Sequence, residues 1–175
     1  MPKIEFDALR AADLPMLTTW LAEPHVRVFY QKHPVTVHEV TLEYGPTIRA
    51  EEPSLSHVAS YDDTPFAYLQ CYRNADYPEW QALIGVDGGI SVDLYIGNPT
   101  YLHRGLGRSV LRAYLTRVAF PAFPGEARAY IGHDLLNTAA LRCSQAAGFR
   151  PLRRFMEEGN EMALFVIDKS ELGAA

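Results

Sequence analysis

Apolar and polar residues alternate in several short stretches of the chain, and this pattern predicts β-strands. Residues 3–9 alternate as a half-buried strand does. Residues 57–61 and 66–72 are rich in β-branched and aromatic residues and flank a turn of Asp, Asp, Thr and Pro, which predicts a hairpin. Residues 90–96 predict a further strand, and residues 74–85, with Pro and aromatics, are expected to be irregular.

Two helices are predicted in the first third of the chain. One runs over residues 13–21, with Asp13 as its N-cap. A second begins at Thr36, which has Glu39 three residues later as in a capping box, and extends toward Glu51. The pair Gly45–Pro46 is expected to kink or break that helix, because proline lacks a backbone N–H.

The second half of the chain predicts two more helices and three strands. Apolar residues recur at helical spacing over residues 106–119, and an alanine-rich helix is predicted over residues 137–147. Strands are predicted over residues 127–131, 152–156 and 161–167. The order of elements therefore indicates an α+β fold with a mixed central sheet.

Composition sets limits on the class of protein. With 175 residues, 48% of them hydrophobic, the chain is expected to form a single domain over residues 1–175. Two cysteines, Cys71 and Cys143, are too few for a disulfide framework or a metal cluster. The first residues lack the apolar run of a signal peptide or membrane span, so we expect a soluble, cytoplasmic protein with no membrane partner.

Charge and histidine spacing exclude further classes. A formal net charge of −5 argues against nucleic acid as a partner, because phosphate neutralisation needs clustered Lys and Arg. The same acidity is compatible with a cationic small substrate, although it also serves solubility. The histidines show no ligand spacing such as H-x-x-x-H on a helix, so we predict no metal.

A glycine-containing loop before the helix of residues 106–119 carries the first sign of function. The segment His-Arg-Gly-Leu-Gly-Arg-Ser, residues 103–109, presents free backbone N–H groups at the positive end of a helix dipole. Gly105 and Gly107 allow close approach of a pyrophosphate, and Arg104 and Arg108 can add charge. A P-loop and a Rossmann site are both excluded, because the Gly-Lys-Ser/Thr ending and the third glycine are missing.

This loop resembles motif A of the GNAT acetyltransferases, Q/R-x-x-G-x-G/A, with Leu102 at the first position. Asn137, Ala140 and Gly148-Phe149 stand at the spacing of a second family signature. The resemblance implies the GNAT fold, with about seven strands and about four helices, and acetyl-CoA as cosubstrate. The residues it implies for cofactor binding are Leu94, Tyr95, Ile96, His103, Arg104, Gly105, Leu106, Gly107, Arg108, Ser109, Asn137 and Arg142. Capping of the following helix is an equally natural role for Asn137.

Within that family the chain is most similar to the aminoglycoside 6′-N-acetyltransferases. The resemblance assigns Asp93 to the acceptor amine, which a carboxylate can orient and deprotonate. The siderophore-type lysine acyltransferases, which are also similar, carry histidine at that position. The implied partner is a polycationic aminoglycoside amine acted on by a monomer or homodimer, and the implied outcome is antibiotic resistance.

Further acceptor-binding residues follow from the same resemblance. They are Phe29, Tyr30, Gln70, Tyr72, Tyr77, Trp80, Asp93, Asp134 and Glu158. Ser144 stands where many GNAT enzymes have the tyrosine that protonates the departing thiolate, so it is the candidate for that catalytic role. His133 or Asp134 is expected to replace an aspartate of the aminoglycoside group. A non-catalytic acyl-CoA-binding module is the third interpretation left open.

Overall fold

A mixed seven-stranded sheet runs through the computed structural model, which describes residues 3–31 and 33–173. The strands are β1 Ile4–Ala8, β2 Ser54–Tyr61, β3 Thr64–Arg73, β4 Ile90–Ile96, β5 Arg128–Asp134, β6 Arg150–Glu157 and β7 Asn160–Asp168. Their order in the sheet is β1-β2-β3-β4-β5-β7-β6. Strands β4 and β5 are parallel, whereas β1 with β2, β5 with β7 and β6 with β7 are antiparallel. The predicted fold class is confirmed, as are the seven strands.

Seven α-helical segments lie in the described part of the chain, against about four expected. They are α1 Leu14–Ala22, α2 Pro24–Arg27, α3 Val37–Ile48, α4 Pro78–Ile84, α5 Leu106–Tyr114, α6 Phe120–Ala122 and α7 Thr138–Ala146. Helices α2 and α6 are single turns that begin at or beside a proline. A π-helical turn, Leu115–Ala119, joins α5 to α6, so the predicted helix over residues 106–119 is continuous but not uniformly α.

Three local expectations about the helices need correction. The Asp13 carboxylate does not cap α1 but accepts the backbone N–H of Arg10 at 2.9 Å, which closes the preceding 3₁₀ turn. Helix α3 begins with the predicted Thr36–Glu39 capping box but continues through Pro46 to Ile48. Residues 74–85 are not irregular, because they contain α4.

The sequence does carry the signals for α4. Pro78 occupies its first turn, where no N–H is required, and Glu79 follows in the same turn. Gly85 ends the helix in the left-handed conformation, with φ of 66°. Helix α4 is thus a short helix with a standard start and end, and the prediction of an irregular stretch over residues 74–85 was wrong.

The chain groups into two compact units, and the expected single domain stays a prediction. The first unit holds the described residues up to Gln70 together with Leu94–Arg104. Its core is built from buried apolar residues of α1 to α3, of β2 to β4 and of the segment just after β1: Leu9, Leu14, Leu17, Trp20, Leu21, Val26, Val40, Tyr44, Val58, Tyr68 and Tyr95. Gly97 is required here, because a Cβ at that position would overlap the Trp20 indole.

The second unit holds Cys71–Asp93 and the described residues from Gly105 onward. One of its core clusters joins Ile84 of α4 to Tyr130, Phe155, Leu164 and Val166 of the sheet. Burial of such side chains stabilises the folded state by roughly 25 cal/mol for each Å² of apolar surface removed from water.

Arg112 of α5 connects distant segments within the second unit. Its guanidinium donates to the Ala147 carbonyl at 2.7 Å, just after α7, and to the Leu172 carbonyl at 2.8 Å, near the end of the described chain. Ala147 is fully buried, so its carbonyl has no access to bulk water as a substitute partner. Arg112 therefore holds α5, α7 and the segment after β7 together.

We predict that Arg112→Met lowers the free energy of unfolding by about 2–3 kcal/mol, because two hydrogen bonds from a charged donor are lost and a buried carbonyl is left unpaired. Urea unfolding followed by circular dichroism measures the change. Arg154→Met is the control, since Arg154 makes an exposed ion pair with Glu161, and such pairs contribute little. Equal losses in both variants would contradict the proposed connection.

Candidate functional site

The start of helix α5 forms the strongest anion-binding feature of the second unit. Gly105 precedes the helix with φ of 72°, and nothing lies within 4 Å of the place where a Cβ would stand. No side chain caps the helix, so its first backbone N–H groups remain available to a ligand. Arg108 and Ser109 are exposed in the first turn, and Gly107 is buried against the unit. Such a helix start is chemically suited to a pyrophosphate, and the binding of one here stays a prediction.

The two loop residues before Gly105 belong to the first unit. His103 has a positive φ of 58°, which is unusual for a residue with a side chain. The Arg104 guanidinium lies 5.2 Å from the centre of the Tyr101 ring and 5.9 Å from that of Tyr61. These cation–π contacts hold an exposed positive charge in place at the end of the loop.

Strands β4 and β5 stop pairing soon after they begin. Their register contains Ile90 with Ala129 and Ser91 with Tyr130, and the pairing ends there within the second unit. Val92 and Asp93 on β4, and residues 131–134 on β5, continue as strands without pairing to each other. The two strands are therefore not hydrogen-bonded to each other beyond Ser91 and Tyr130 within this unit.

The predicted cofactor residues Leu94, Tyr95 and Ile96 lie at the end of β4, in the first unit. The Tyr95 side chain is buried, stacks on Tyr68 with ring centres 5.2 Å apart, and so belongs to the core. The Ile96 carbonyl is already engaged, since His25 Nε2 lies 2.7 Å from it. His25, which the sequence did not single out, therefore fixes the end of the strand.

Three predicted acceptor residues also belong to the first unit. Tyr30 is partly buried and meets the Tyr95 ring edge-on at 4.6 Å. The Gln70 Oε1 accepts a hydrogen bond from the Tyr68 hydroxyl at 3.0 Å, and Phe29 is partly buried after α2. Tyr30 thus contacts Tyr95, and Gln70 contacts Tyr68, which stacks on Tyr95.

Asp93 lies in the second unit, where burial and the negative charge of Asp93 raise the pKa of two neighbouring groups, Tyr72 and Cys71. Burial raises the pKa of Tyr72, and the Asp93 carboxylate raises that pKa further. The pKa of Cys71 is raised to about 11, mainly by burial, partly offset by the Tyr114 hydroxyl and with an added contribution from Asp93. A partly buried carboxylate is therefore brought together with the predicted acceptor residue Tyr72.

Three predicted acceptor aromatics lie in the same unit as Asp93, and one of them, Trp80, is held by a chain of hydrogen bonds. Trp80 of α4 donates its indole N–H to the Ser91 hydroxyl at 2.9 Å, and Ser91 donates to the Asn74 side chain at 2.6 Å. The Tyr77 ring packs edge-on against Tyr72 with centres 4.9 Å apart. Tyr72, Tyr77 and Trp80 are thus rigid aromatic surfaces in the unit that contains Asp93.

Glu157, at the end of β6, is a second carboxylate of this site that the sequence did not identify. Burial raises its pKa, and the charge of Asp93 raises it further, followed by that of Glu158. The predicted residue Glu158 is exposed at the turn with φ of 47°. Glu157 and Glu158 are neighbours in the sequence, and the sequence alone does not show which of the two carboxylates interacts with Asp93.

His133 of β5 and Ser144 of α7 form a close pair in the second unit. A hydrogen bond of 2.6 Å joins His133 Nε2 to Ser144 Oγ. Ser144 is 1% exposed, and burial lowers the pKa of His133 to about 4, so the imidazole is neutral near pH 7. The neighbouring Asp134 carboxylate accepts the backbone N–H of Leu136 at 2.8 Å and closes a turn.

The remaining predicted cofactor residues belong to α7. The Asn137 side chain caps this helix by accepting the Ala140 N–H at 3.2 Å, which is the role that its position before a helix also predicted. Arg142 is exposed on the same helix.

Metal and membrane features are absent from the part of the chain that the structure describes. Across residues 3–31 and 33–173, no three His, Cys, Asp or Glu side chains come close enough to bind a metal ion. None of the helices in these ranges is both long and apolar enough to span a membrane.

Comparison with known proteins assigns most of the chain to one family. The family model described as an acetyltransferase (GNAT) domain matches residues 10–156, which is most of the chain. Aminoglycoside N(6')-acetyltransferase type 1 of Klebsiella pneumoniae is 27% identical over 140 residues, which cover 78% of this chain and 69% of that protein.

Solved structures show the same fold. The structure of AAC(6')-Ib in complex with paromomycin and acetyl-CoA has a TM-score of 0.80 at 22% identity and covers 97% of this chain and 95% of its own. The aminoglycoside N(6')-acetyltransferase of Legionella pneumophila has a TM-score of 0.75 at 17% identity and covers 97% of this chain and 94% of its own. The resemblance that the two sequence signatures indicated is confirmed.

We predict that His133 makes folding stability depend on pH. The unfolded chain takes up a proton as the pH falls below 6.5, whereas the folded protein holds the imidazole neutral down to about pH 4. The stabilisation is therefore complete above pH 6.5 and is lost as the pH falls toward 4. Relative to His133→Gln, the wild-type free energy of unfolding should decrease by about 2 kcal/mol between pH 7.5 and pH 5. Parallel urea-unfolding profiles for the two proteins would contradict this.

Proposed function

Because the chain belongs to the GNAT acetyltransferase family, we propose that it transfers the acetyl group of acetyl-CoA to a primary amine of an aminoglycoside, namely the 6′-amine. The observation that carries this proposal is Asp93, a partly buried carboxylate on β4 whose charge adds to burial in raising the pKa of Tyr72 and that of Glu157 in the same unit. The names of the relatives support the choice of acceptor. Resistance to the antibiotic is the expected consequence.

The acceptor chemistry requires a base. An ammonium group must lose a proton before its nitrogen can attack a thioester, and the Asp93 carboxylate can orient the amine and accept that proton, directly or through water. Direct attack forms the C–N bond as the C–S bond breaks, with both substrates bound together. Tyr72, Tyr77 and Trp80 offer faces for sugar rings and for cations.

The chain's own residues fit acetyl-CoA. The N–H groups at the start of α5 would bind the pyrophosphate, and the Arg108 side chain would add a charge-assisted contact. The pantetheine arm would lie between β4 and β5, which do not pair with each other beyond Ser91 and Tyr130. When bound, acetyl-CoA supplies the activated acetyl group and a good leaving group.

Calorimetry and an acceptor panel test the proposal. Purified protein should bind coenzyme A, and acetyl transfer to kanamycin or tobramycin should release free thiol faster than transfer to N-hydroxylysine. The reverse preference would favour a siderophore-type or other small-amine acyltransferase. Binding of acetyl-CoA without turnover of any amine would favour a non-catalytic module, and no affinity for coenzyme A would overturn the proposal.

We predict that Asp93→Asn lowers kcat by about ten- to a hundred-fold, because the amide cannot accept the proton of the amine. Calorimetric affinity for coenzyme A should be unchanged. Asp87→Asn is the matched control, since Asp87 is exposed in the loop before the same strand and should leave kcat unaltered. Equal kcat values in wild type and Asp93→Asn would remove Asp93 from the catalytic step.

We predict that Glu157→Gln raises KM about three- to ten-fold for acceptors with several ammonium groups and leaves kcat within about two-fold. A carboxylate beside Asp93 attracts a second positive charge of the acceptor, and the amide does not. Initial rates with kanamycin and with a monoamine acceptor measure the difference. A larger effect from Glu158→Gln would instead favour the residue that the sequence indicated.

A further inference from the structure

A chain of hydrogen bonds that all point the same way runs from Trp80 into the interior of the second unit. The Trp80 indole N–H donates to the Ser91 hydroxyl at 2.9 Å, and the Ser91 O–H donates to Asn74 Oδ1 at 2.6 Å. Asn74 Nδ2 then donates to the Gly88 carbonyl at 2.9 Å. The direction is fixed because an indole N–H can only donate, so the Ser91 oxygen accepts it and gives its own proton to Asn74.

The inner members of this chain are inaccessible to water. Asn74 is 0% exposed and Ser91 is 3% exposed. The Asn74 backbone N–H also donates to the Gly89 carbonyl at 2.9 Å, so Asn74 is held to the loop before β4 by two hydrogen bonds. Ser91 therefore connects Trp80 to a fixed anchor. Without the Ser91 hydroxyl, the indole N–H and the Asn74 side-chain oxygen would both lose their partner.

Ser91 lies on the face of β4 that also carries Asp93. Side chains alternate along a strand, so residues two apart project from the same face, with Cα atoms roughly 7 Å apart. Trp80 of α4 therefore packs on the face of β4 from which the candidate base projects. Trp80 is only partly buried, which leaves part of its surface for a ligand.

A hydrogen bond fixes the orientation of the indole more strictly than ring packing does. Phe155 of β6 meets the Trp80 ring edge-on with centres 5.8 Å apart, but aromatic pairs form over a range of distances, whereas an N–H donor must point at its acceptor. Helix α4 has only seven residues and contributes little order of its own. Ser91 therefore supplies the constraint that gives Trp80 one orientation.

We propose that Ser91 is a positioning residue of the acceptor site, which holds the Trp80 indole as a fixed surface for the ring that bears the reacting amine, while Asp93 binds the amine itself. This inference rests on the proposed acetyl transfer. A surface that is ordered before binding costs less entropy when the acceptor packs on it, so affinity for the acceptor increases. Ser91 takes no part in bond making or breaking, because its proton is already donated to Asn74.

Steady-state kinetics with kanamycin test the inference. Ser91→Ala should raise KM about five-fold and change kcat by less than about two-fold, because the variant loses the orientation of Trp80 but no group that touches the reacting atoms. Ser60→Ala is the matched control, since Ser60 is a buried serine of β2, and its KM should equal that of wild type. Circular dichroism confirms that each variant is folded at the assay temperature.

A double-mutant cycle separates action through Trp80 from a general effect on packing. Trp80→Phe keeps an aromatic ring but lacks the N–H, so it should raise KM by itself. Adding Ser91→Ala to Trp80→Phe should then produce no further rise in KM. A five-fold rise in both backgrounds would show that Ser91 acts independently of Trp80 and would overturn the inference.

Exchange of the Trp80 indole proton tests the contact without turnover. The chain has two tryptophans, Trp20 and Trp80, so Trp80→Phe assigns the two indole signals in nitrogen-15 spectra. The Trp80 indole N–H should exchange with solvent about ten-fold faster in Ser91→Ala than in wild type. Exchange in wild type as fast as in an unfolded peptide would overturn the inference, whether or not the variant folds.

The outcomes distinguish this inference from the proposed function. Acetyl transfer to kanamycin with equal KM in wild type and Ser91→Ala would overturn the role of Ser91 and leave the proposed function intact. Failure of wild type to acetylate any amine would instead refute the proposed function and this inference with it.

Discussion

A parallel strand pair that stops pairing inside a sheet leaves main-chain donors and acceptors that need other partners. In this protein the pairing of β4 and β5 ends after two residue pairs, and the residues beyond continue as strands. Asp93 follows the last paired residue of β4, and His133 lies beyond the last residue of β5 that pairs with β4. The path of the backbone thus determines where these two candidate side chains stand.

Helix α5 supplies the complementary constraint, because its uncapped first turn has amide groups that only an anion or water satisfies. Gly105 allows the chain to reach this turn in a left-handed conformation, and the lack of any atom near its missing Cβ leaves room for a ligand. The proposed diphosphate site therefore depends mainly on backbone geometry.

Sequence patterns predicted all seven strands and the long helices, because alternation and helical spacing record which face is buried. They missed α4, although Pro78 and Gly85 mark its ends, since the intervening residues have no clear apolar period. The family resemblance gave Asp93 and Ser144 as candidates, but the interactions of Glu157 with Asp93 and of His133 with Ser144 join residues 64 and 11 positions apart in the chain. Such long-range contacts leave no local periodicity, and only the folded structure brings them together.

The two hydrogen bonds of Arg112 have a mechanical consequence for the start of α5, where the proposed pyrophosphate site lies. Arg112 stands six residues after Leu106 on the same helix, and one of its two carbonyl partners belongs to Leu172. Since a short helix moves nearly as a rigid rod, a substitution or fusion that displaces Leu172 would tilt the amide groups at the opposite end of α5. Affinity for a phosphate-bearing cofactor could then change without any alteration of the residues that touch it.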